Sequence, residues 1–216
     1  MGRLDAVGRC VAVKDLFSPD QTFEVIPMPD ADVSILRDIA MPLDDDAMLR
    51  ALMEQTSWRQ EAINLYGKSY SQPRLCALYG DAGRGYDYSG LRLGSLPWTD
   101  LLKDVKRRIE DCTDASFNTV LLNLYRDNND SMGFHSDDEH ELGPEPVIAS
   151  LSFGETRIFR LKHKTNKTLP VQKIPLTSGT VLRMKGKTQH MWKHGIAKQT
   201  EPCGPRINLT FRSIYL

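Results

Sequence analysis

Two residues placed for chemistry lie close together in the most acidic part of this chain. The run NLYRDNNDSMGFHSDDE, from Asn123 to Glu139, holds His135 and Asp137 two positions apart. On a strand, such a pair points to one face, where an imidazole and a carboxylate could share one divalent metal. A facial set of two His and one carboxylate leaves positions open and suits non-haem Fe(II). The third ligand must then come from elsewhere, and His140, His163, His190 and His194 are all candidates on spacing alone. His163 sits in RLKHK, a basic run that reads as surface, while His190 and His194 flank Trp192.

A second constellation closes the chain. In RINLTFR, Arg206, Asn208, Thr210 and Arg212 share one face of a strand, and Ile207, Leu209 and Phe211 share the other. Two guanidiniums turned inward are costly to bury unless an anion, such as a dicarboxylate, fills the space between them. The competing reading is a polar outer face on an edge strand. Other chemistries find no support. There is no GxSxG, no Cys lies in a recognisable motif, and the GRG at Gly83 and Gly85 lacks the spacing of a dinucleotide fingerprint.

The elements that must position these groups follow from pattern. At 216 residues, 40% hydrophobic and 26% charged, the chain fits one domain with a proper core. Residues 1–40, punctuated by Pro19, Pro27 and Pro29, read as an arm or lead-in. Within them, 32–39 is open between strand and helical turn. Asp44, Asp45 and Asp46 cap a helix over 44–55 whose apolar stripe is Met48, Leu49, Leu52 and Met53. Pro97 opens a second helix over 98–112, striped by Leu101, Leu102, Val105 and Ile109. Between the two, tyrosines and glycines alternate as in short strands with tight turns. From 113 to 216 the chain becomes short strand-like runs separated by Gly, Pro, Asn and Ser, as in a β-sandwich or barrel. The whole therefore reads as mainly β with flanking helices. Residues 41–112 form a helix-containing, tyrosine-rich extension, and 113–216 form a jelly-roll core in one integrated unit.

Charge is uneven. Residues 1–60 carry 6 Lys/Arg against 11 Asp/Glu, whereas 156–216 carry 13 basic residues against one acid, Glu201. That asymmetry suits a basic face for phosphates. The four scattered cysteines (Cys10, Cys76, Cys112 and Cys203) fit reduced thiols in an intracellular protein. No window approaches the ~20 apolar residues of a membrane span, no apolar signal core opens the chain, and Ala6 breaks the myristoylation pattern.

The combination NxYxxxxxxxxxHxDDE, then WxHG, then RxNLTFR closely resembles the AlkB family of Fe(II)- and 2-oxoglutarate-dependent nucleic-acid dealkylases, in its DNA-repair branch. LYGKSYSQPRLCALYGDAGRGYDYSG (65–90) and PWTDLLKDVKRRIE (97–110) are similar to the segments that precede the core in that branch. The resemblance covers about residues 60–216 and implies a double-stranded β-helix core, with the extension over 41–112 as its nucleotide-recognition lid. It implies His135, Asp137 and His194 as catalytic iron ligands, since the distal His of the family precedes Gly or Ser. Arg206 and Arg212 would bind 2-oxoglutarate, with Asn123, Tyr125, Asn208 and Thr210 as hydrogen-bonding neighbours. Tyr88 and Tyr86 would hold a flipped base and Glu139 would read its edge. Tyr66 would be an intercalating finger, and Arg74 would contact base or phosphate.

The implied activity is oxidative dealkylation of bases such as 1-methyladenine and 3-methylcytosine in DNA, with 2-oxoglutarate and O2 as co-substrates and an aldehyde released. A base must leave the stack to reach such a pocket. Arg160, Lys162, Lys164 and Lys167 would contact phosphates. The expected partner is alkylated DNA, single- or double-stranded, bound by a monomer that is not membrane-associated and works in the cytoplasm or nucleus. The alternatives are an RNA demethylase of the same family, or a non-catalytic nucleic-acid-binding module on the same fold.

Overall fold

The last strand sets the architecture. In the computed structural model, which describes residues 22–65, 68–83, 86–88 and 91–215, every residue of RINLTFR is buried. Its apolar members Ile207, Leu209 and Phe211 pack with the helices, and its polar members turn the opposite way, into the space between two sheets. The strand thus lies at the centre of three layers.

In chain order the elements begin with β1 (Glu24–Ile26), β2 (Asp32–Leu36), α1 (Asp45–Gln55), β3 (Ala62–Leu65), β4 (Lys68–Ser71) and β5 (Leu75–Gly80). Next come β6 (Tyr86–Tyr88), β7 (Leu91–Leu93), α2 (Asp100–Thr113), β8 (Thr119–Tyr125) and β9 (Met132–His135). The remainder are β10 (Ile148–Gly154), β11 (Arg157–His163), β12 (Gln172–Leu176), β13 (Thr180–Lys185), α3 (Thr188–Met191), β14 (Trp192–Ile196) and β15 (Arg206–Arg212). A seven-stranded sheet runs β1-β2-β13-β10-β15-β8-β5, and a four-stranded sheet runs β12-β11-β14-β9. These pairings are antiparallel. The two faces form the jelly roll expected from the sequence.

Both long helices cover the outer face of the larger sheet. Asp44 caps α1, accepting the Ala47 N–H at 2.8 Å, and Met48 and Leu52 enter the core. Met53, expected on the same stripe, is instead largely exposed. Thr99 caps α2, from which Leu102, Val105 and Ile109 are buried. Between the sheets a second core gathers Ile35, Phe159, Leu161, Leu182, Met184 and Trp192.

Two boundaries differ from the sequence expectation. The described part of the lead-in is built into the large sheet: β1 pairs with β2, and β2 pairs with β13. Val33, Ile35 and Leu36 supply the burial that makes 32–36 a strand. β5, placed by sequence in the recognition extension, pairs along its whole length with β8. β12 contains Pro175, which an edge strand tolerates. Among the described residues no helix is long and apolar enough to cross a membrane.

Candidate metal and co-substrate site

β9 is an edge strand that pairs with β14 so that His135 faces His194 directly, their rings 4.4 Å apart at 65°. Gly195 makes this approach possible. A Cβ there would stand 2.8 Å from the Met132 carbonyl oxygen and 3.0 Å from that of Gly133. The strand ends at His135, so Asp137 is not its strand neighbour, contrary to the simplest reading of the spacing. Instead the chain turns inward: Ser136 Oγ donates to the Trp192 carbonyl at 2.9 Å, and Asp137 N donates to Gln189 Oε1 at 3.0 Å. These bonds seat Asp137 beneath α3 with no exposed surface.

The donor atoms converge. His135 Nε2 is 3.7 Å from Asp137 Oδ1, His194 Nε2 is 3.9 Å from Asp137 Oδ2, and one ligand atom from each of the three lies within 4.8 Å of the others. His135 Nδ1 meets the Gly133 carbonyl at 3.0 Å, which leaves Nε2 as the ligating atom. Phe159 stacks on His194 at 5.2 Å and holds that ring.

Protonation matches the geometry. Burial lowers both imidazoles, His194 down to about 3 with its neighbour His135 adding to the effect, so both are neutral donors. Burial alone would raise the Asp137 carboxyl, but Arg212, whose Nη2 donates to Oδ2 at 2.9 Å, holds it well below the usual carboxylate range. Asp137 Oδ1 is buried with no hydrogen-bond partner. An ionised oxygen left in that state, between two neutral imidazoles, is what a divalent cation would satisfy. The residues therefore fit an iron site.

Of the other candidate ligands, His140 lies in an exposed turn and His190 bonds the Pro144 carbonyl. His163 is buried against Trp192 rather than on the surface. Arg157, Phe159, Leu161 and His163 all face inward, and that alternation in RIFRLKH was the available signal.

Beside the triad opens a cavity between the two sheets. Asn123, Tyr125, Arg206, Asn208, Thr210 and Arg212 all line it, as do His135, Asp137 and His194. Ser150, Met132, Met184, Phe159 and Ile196, which the sequence alone did not single out, also line it. Asn208 and Thr210 are tied down: Asn208 Nδ2 donates to Ser150 Oγ at 2.6 Å, and Thr210 Oγ1 donates to Asn208 Oδ1 at 2.9 Å. Arg206 donates through Nη2 to Ser152 Oγ at 2.9 Å, while Nε and Nη1 have no hydrogen-bond partner. Its guanidinium lies over Tyr125, 5.2 Å from the ring centre. Burial lowers Arg206 to about 10, so it remains a cation near neutral pH. A buried cation with two unused donors calls for an anion.

The expected base contacts fare unevenly. Tyr66 lies outside the described residues. Tyr86 and Tyr88 lie on β6, opposite Leu93 and Leu91 of β7, with only their backbone described. Glu139 lies in a second cleft, with Asp138 and His140, rather than on the cavity wall. Arg74 is 4% exposed and donates from Nε to Asn123 Oδ1 at 2.8 Å, so burial opposes the expected contact with base or phosphate. Lys164, expected on phosphate, bonds Asp138 and the Gln189 carbonyl.

Residues 32–212 match the model of the 2OG-Fe(II) oxygenase superfamily. The human alpha-ketoglutarate-dependent dioxygenase alkB homolog 3 is 42% identical over 178 residues, 79% of this chain and 62% of that protein. The mouse DNA oxidative demethylase ALKBH2 is 39% identical over 178 residues, 78% of this chain and 74% of that protein. The chain thus spans about three fifths of the length of the alkB homolog 3 proteins it matches. The structure of OsALKBH1 superposes with a TM-score of 0.62 at 17% identity, covering 89% of this chain and 100% of that one. At that identity it speaks for the fold.

Proposed function

We infer from membership of the AlkB family of the 2OG-Fe(II) oxygenase superfamily, to which this chain belongs, that it removes small alkyl groups from damaged nucleic-acid bases by oxidation. The observation that carries this reading is one cavity lined by both the His135–Asp137–His194 set and the two buried arginines. In it, Fe(II) would be held by His135 Nε2, Asp137 and His194 Nε2. When bound, the metal would activate O2, of which one oxygen atom ends in succinate as 2-oxoglutarate loses CO2 and the other ends on the N-alkyl carbon.

The chain's own groups divide the remaining work. Arg206, with two unused donors and at the opposite end of β15 from the Arg212 that bonds Asp137, takes one carboxylate of the co-substrate through its planar fork. Arg212 keeps Asp137 ionised and adds positive charge beside the other carboxylate. Tyr125 and Asn123 face the space between. The buried walls from Phe159, Met184 and Ile196 exclude water from the reacting carbon. Once hydroxylated, an N-methyl carbon leaves as formaldehyde, its hydroxyl proton is released, and the ring nitrogen recovers its lone pair, so the restored base is the product.

DNA is the proposed substrate, in line with the name of the ALKBH2 relatives, and the proposed setting is intracellular. Cations on the outer face of the smaller sheet support a phosphate-binding role. Lys162 lies directly opposite Lys193, and Arg160 opposite Lys173, like-charge pairs that a bound polyanion would relieve. Formaldehyde and succinate release, measured on single-stranded DNA, duplex DNA and RNA carrying 1-methyladenine or 3-methylcytosine, tests the reading. Release from at least one DNA substrate is expected. Turnover confined to RNA would reassign the substrate, and none on any of them would refute the activity.

A further inference from the structure

We propose that Arg74 is a positioning residue that locks the Asn123 carboxamide with its NH2 toward the co-substrate, which makes Asn123 a fixed donor to 2-oxoglutarate. The proposal rests on the co-substrate assignment above. Arg74 Nε donates to Asn123 Oδ1 at 2.8 Å, both residues being buried. A guanidinium has donors and no acceptor, so the amide atom that faces it must be the oxygen. The NH2 is thereby left for the cavity that Asn123 lines.

The neighbouring amide shows the contrast. Asn208 stands opposite Asn123 in the β8–β15 register, and its two ends are both consumed by the protein, at Ser150 and Thr210. Asn123 keeps its donor unspent. An unlocked carboxamide turns over at small cost, and turned over it would set a carbonyl dipole against the carboxylate of the ligand. Arg74 removes that alternative before the ligand arrives.

Its place in the chain gives the lock a rigid base. Arg74 stands immediately before β5, with the Pro73 carbonyl accepting the Ser131 N–H at 2.9 Å and Cys76 bridged to Arg59. The backbone on either side is therefore pinned to the loop before β9 and to the segment after α1. Two residues, Gln72 and Pro73, separate Arg74 from the end of β4, so the same short connection carries the β3–β4 hairpin.

The test is anaerobic calorimetric titration of 2-oxoglutarate into the Mn(II)-loaded protein, with Mn(II) affinity measured separately. Wild type must bind 2-oxoglutarate; if it does not, the co-substrate assignment itself fails. Arg74→Met should weaken 2-oxoglutarate about tenfold or more, the loss of a hydrogen bond to a charged group, and leave Mn(II) affinity unchanged. In an Asn123→Ala background the same substitution should cost nothing further. Asn123→Asp, which still accepts from Arg74 but has no NH2, should lose at least as much, and it decides the question even if Arg74→Met fails to fold. Wild-type 2-oxoglutarate affinity in Arg74→Met or in Asn123→Asp would overturn the proposal. So would an undiminished further loss in the Asn123→Ala background.

Discussion

At the scale of single residues, the site is a problem of charge burial solved by expected ligands. Arg206 is 1% exposed and keeps Nε and Nη1 unbonded within the protein. Arg206→Lys preserves the charge but loses the fork. It should raise the 2-oxoglutarate KM about tenfold or more, with the oligonucleotide KM unchanged. Steady-state kinetics with each substrate varied in turn checks this. The arginines and the inward face of RINLTFR were legible in the chain because alternation on a strand is local, whereas Asp137 joins His135 by an inward turn that spacing does not show. Arg74 was not: an Arg flanked by Pro and Leu carries no pattern that says buried, and only the fold brings it to Asn123. The choice among four histidines was equally beyond spacing. It depends on the register that sets His194 across from His135 and on the close approach that Gly195 permits.

At the scale of elements, the β8–β9 connection is held by two arginines whose loss should read out differently. Arg157, fully buried, donates to the carbonyls of Asp127, Asp130 and Ala197 at 3.1, 2.8 and 2.7 Å, and so staples β11 to the connection and to the chain after β14. Arg157→Met strands those acceptors and should cost about 3 kcal/mol or more in denaturant unfolding. Nearby, Arg126 pairs with Asp130 through Nε at 2.7 Å and Nη2 at 2.9 Å. Burial would raise the Asp130 carboxyl, but these hydrogen bonds carry it below its ordinary value. A lowered folded-state value means the stabilisation is present above the unfolded pKa of about 4 and is lost as pH falls through the folded one. Asp130→Asn should therefore flatten the acid side of the stability profile and leave its neutral side parallel to wild type. Sequence located the two long helices within a residue or two, since stripes and caps are local signals. It lost β2 and β5 to the lead-in and the extension, because membership of a sheet is decided by partners far along the chain.

At the scale of the whole molecule, a neutral formal charge hides a polarised surface. The smaller sheet shows Arg160, Lys162, Lys173 and Lys193 outward, while the larger one is shielded by helices. If this face meets phosphates, nucleic-acid affinity falls steeply with salt. The double variant Lys162→Gln, Lys193→Gln should then reduce the slope of log K against log salt by about 2. An unchanged slope would place the phosphates elsewhere. The account as a whole stands on one coupling, that between 2-oxoglutarate and the alkylated base in a single cavity. Its most direct measurement is the stoichiometry of succinate to formaldehyde during Fe(II)-supported turnover of DNA carrying 1-methyladenine. The account predicts equimolar release, abolished by Asp137→Asn. Formaldehyde release without 2-oxoglutarate, or undiminished by Asp137→Asn, would contradict it.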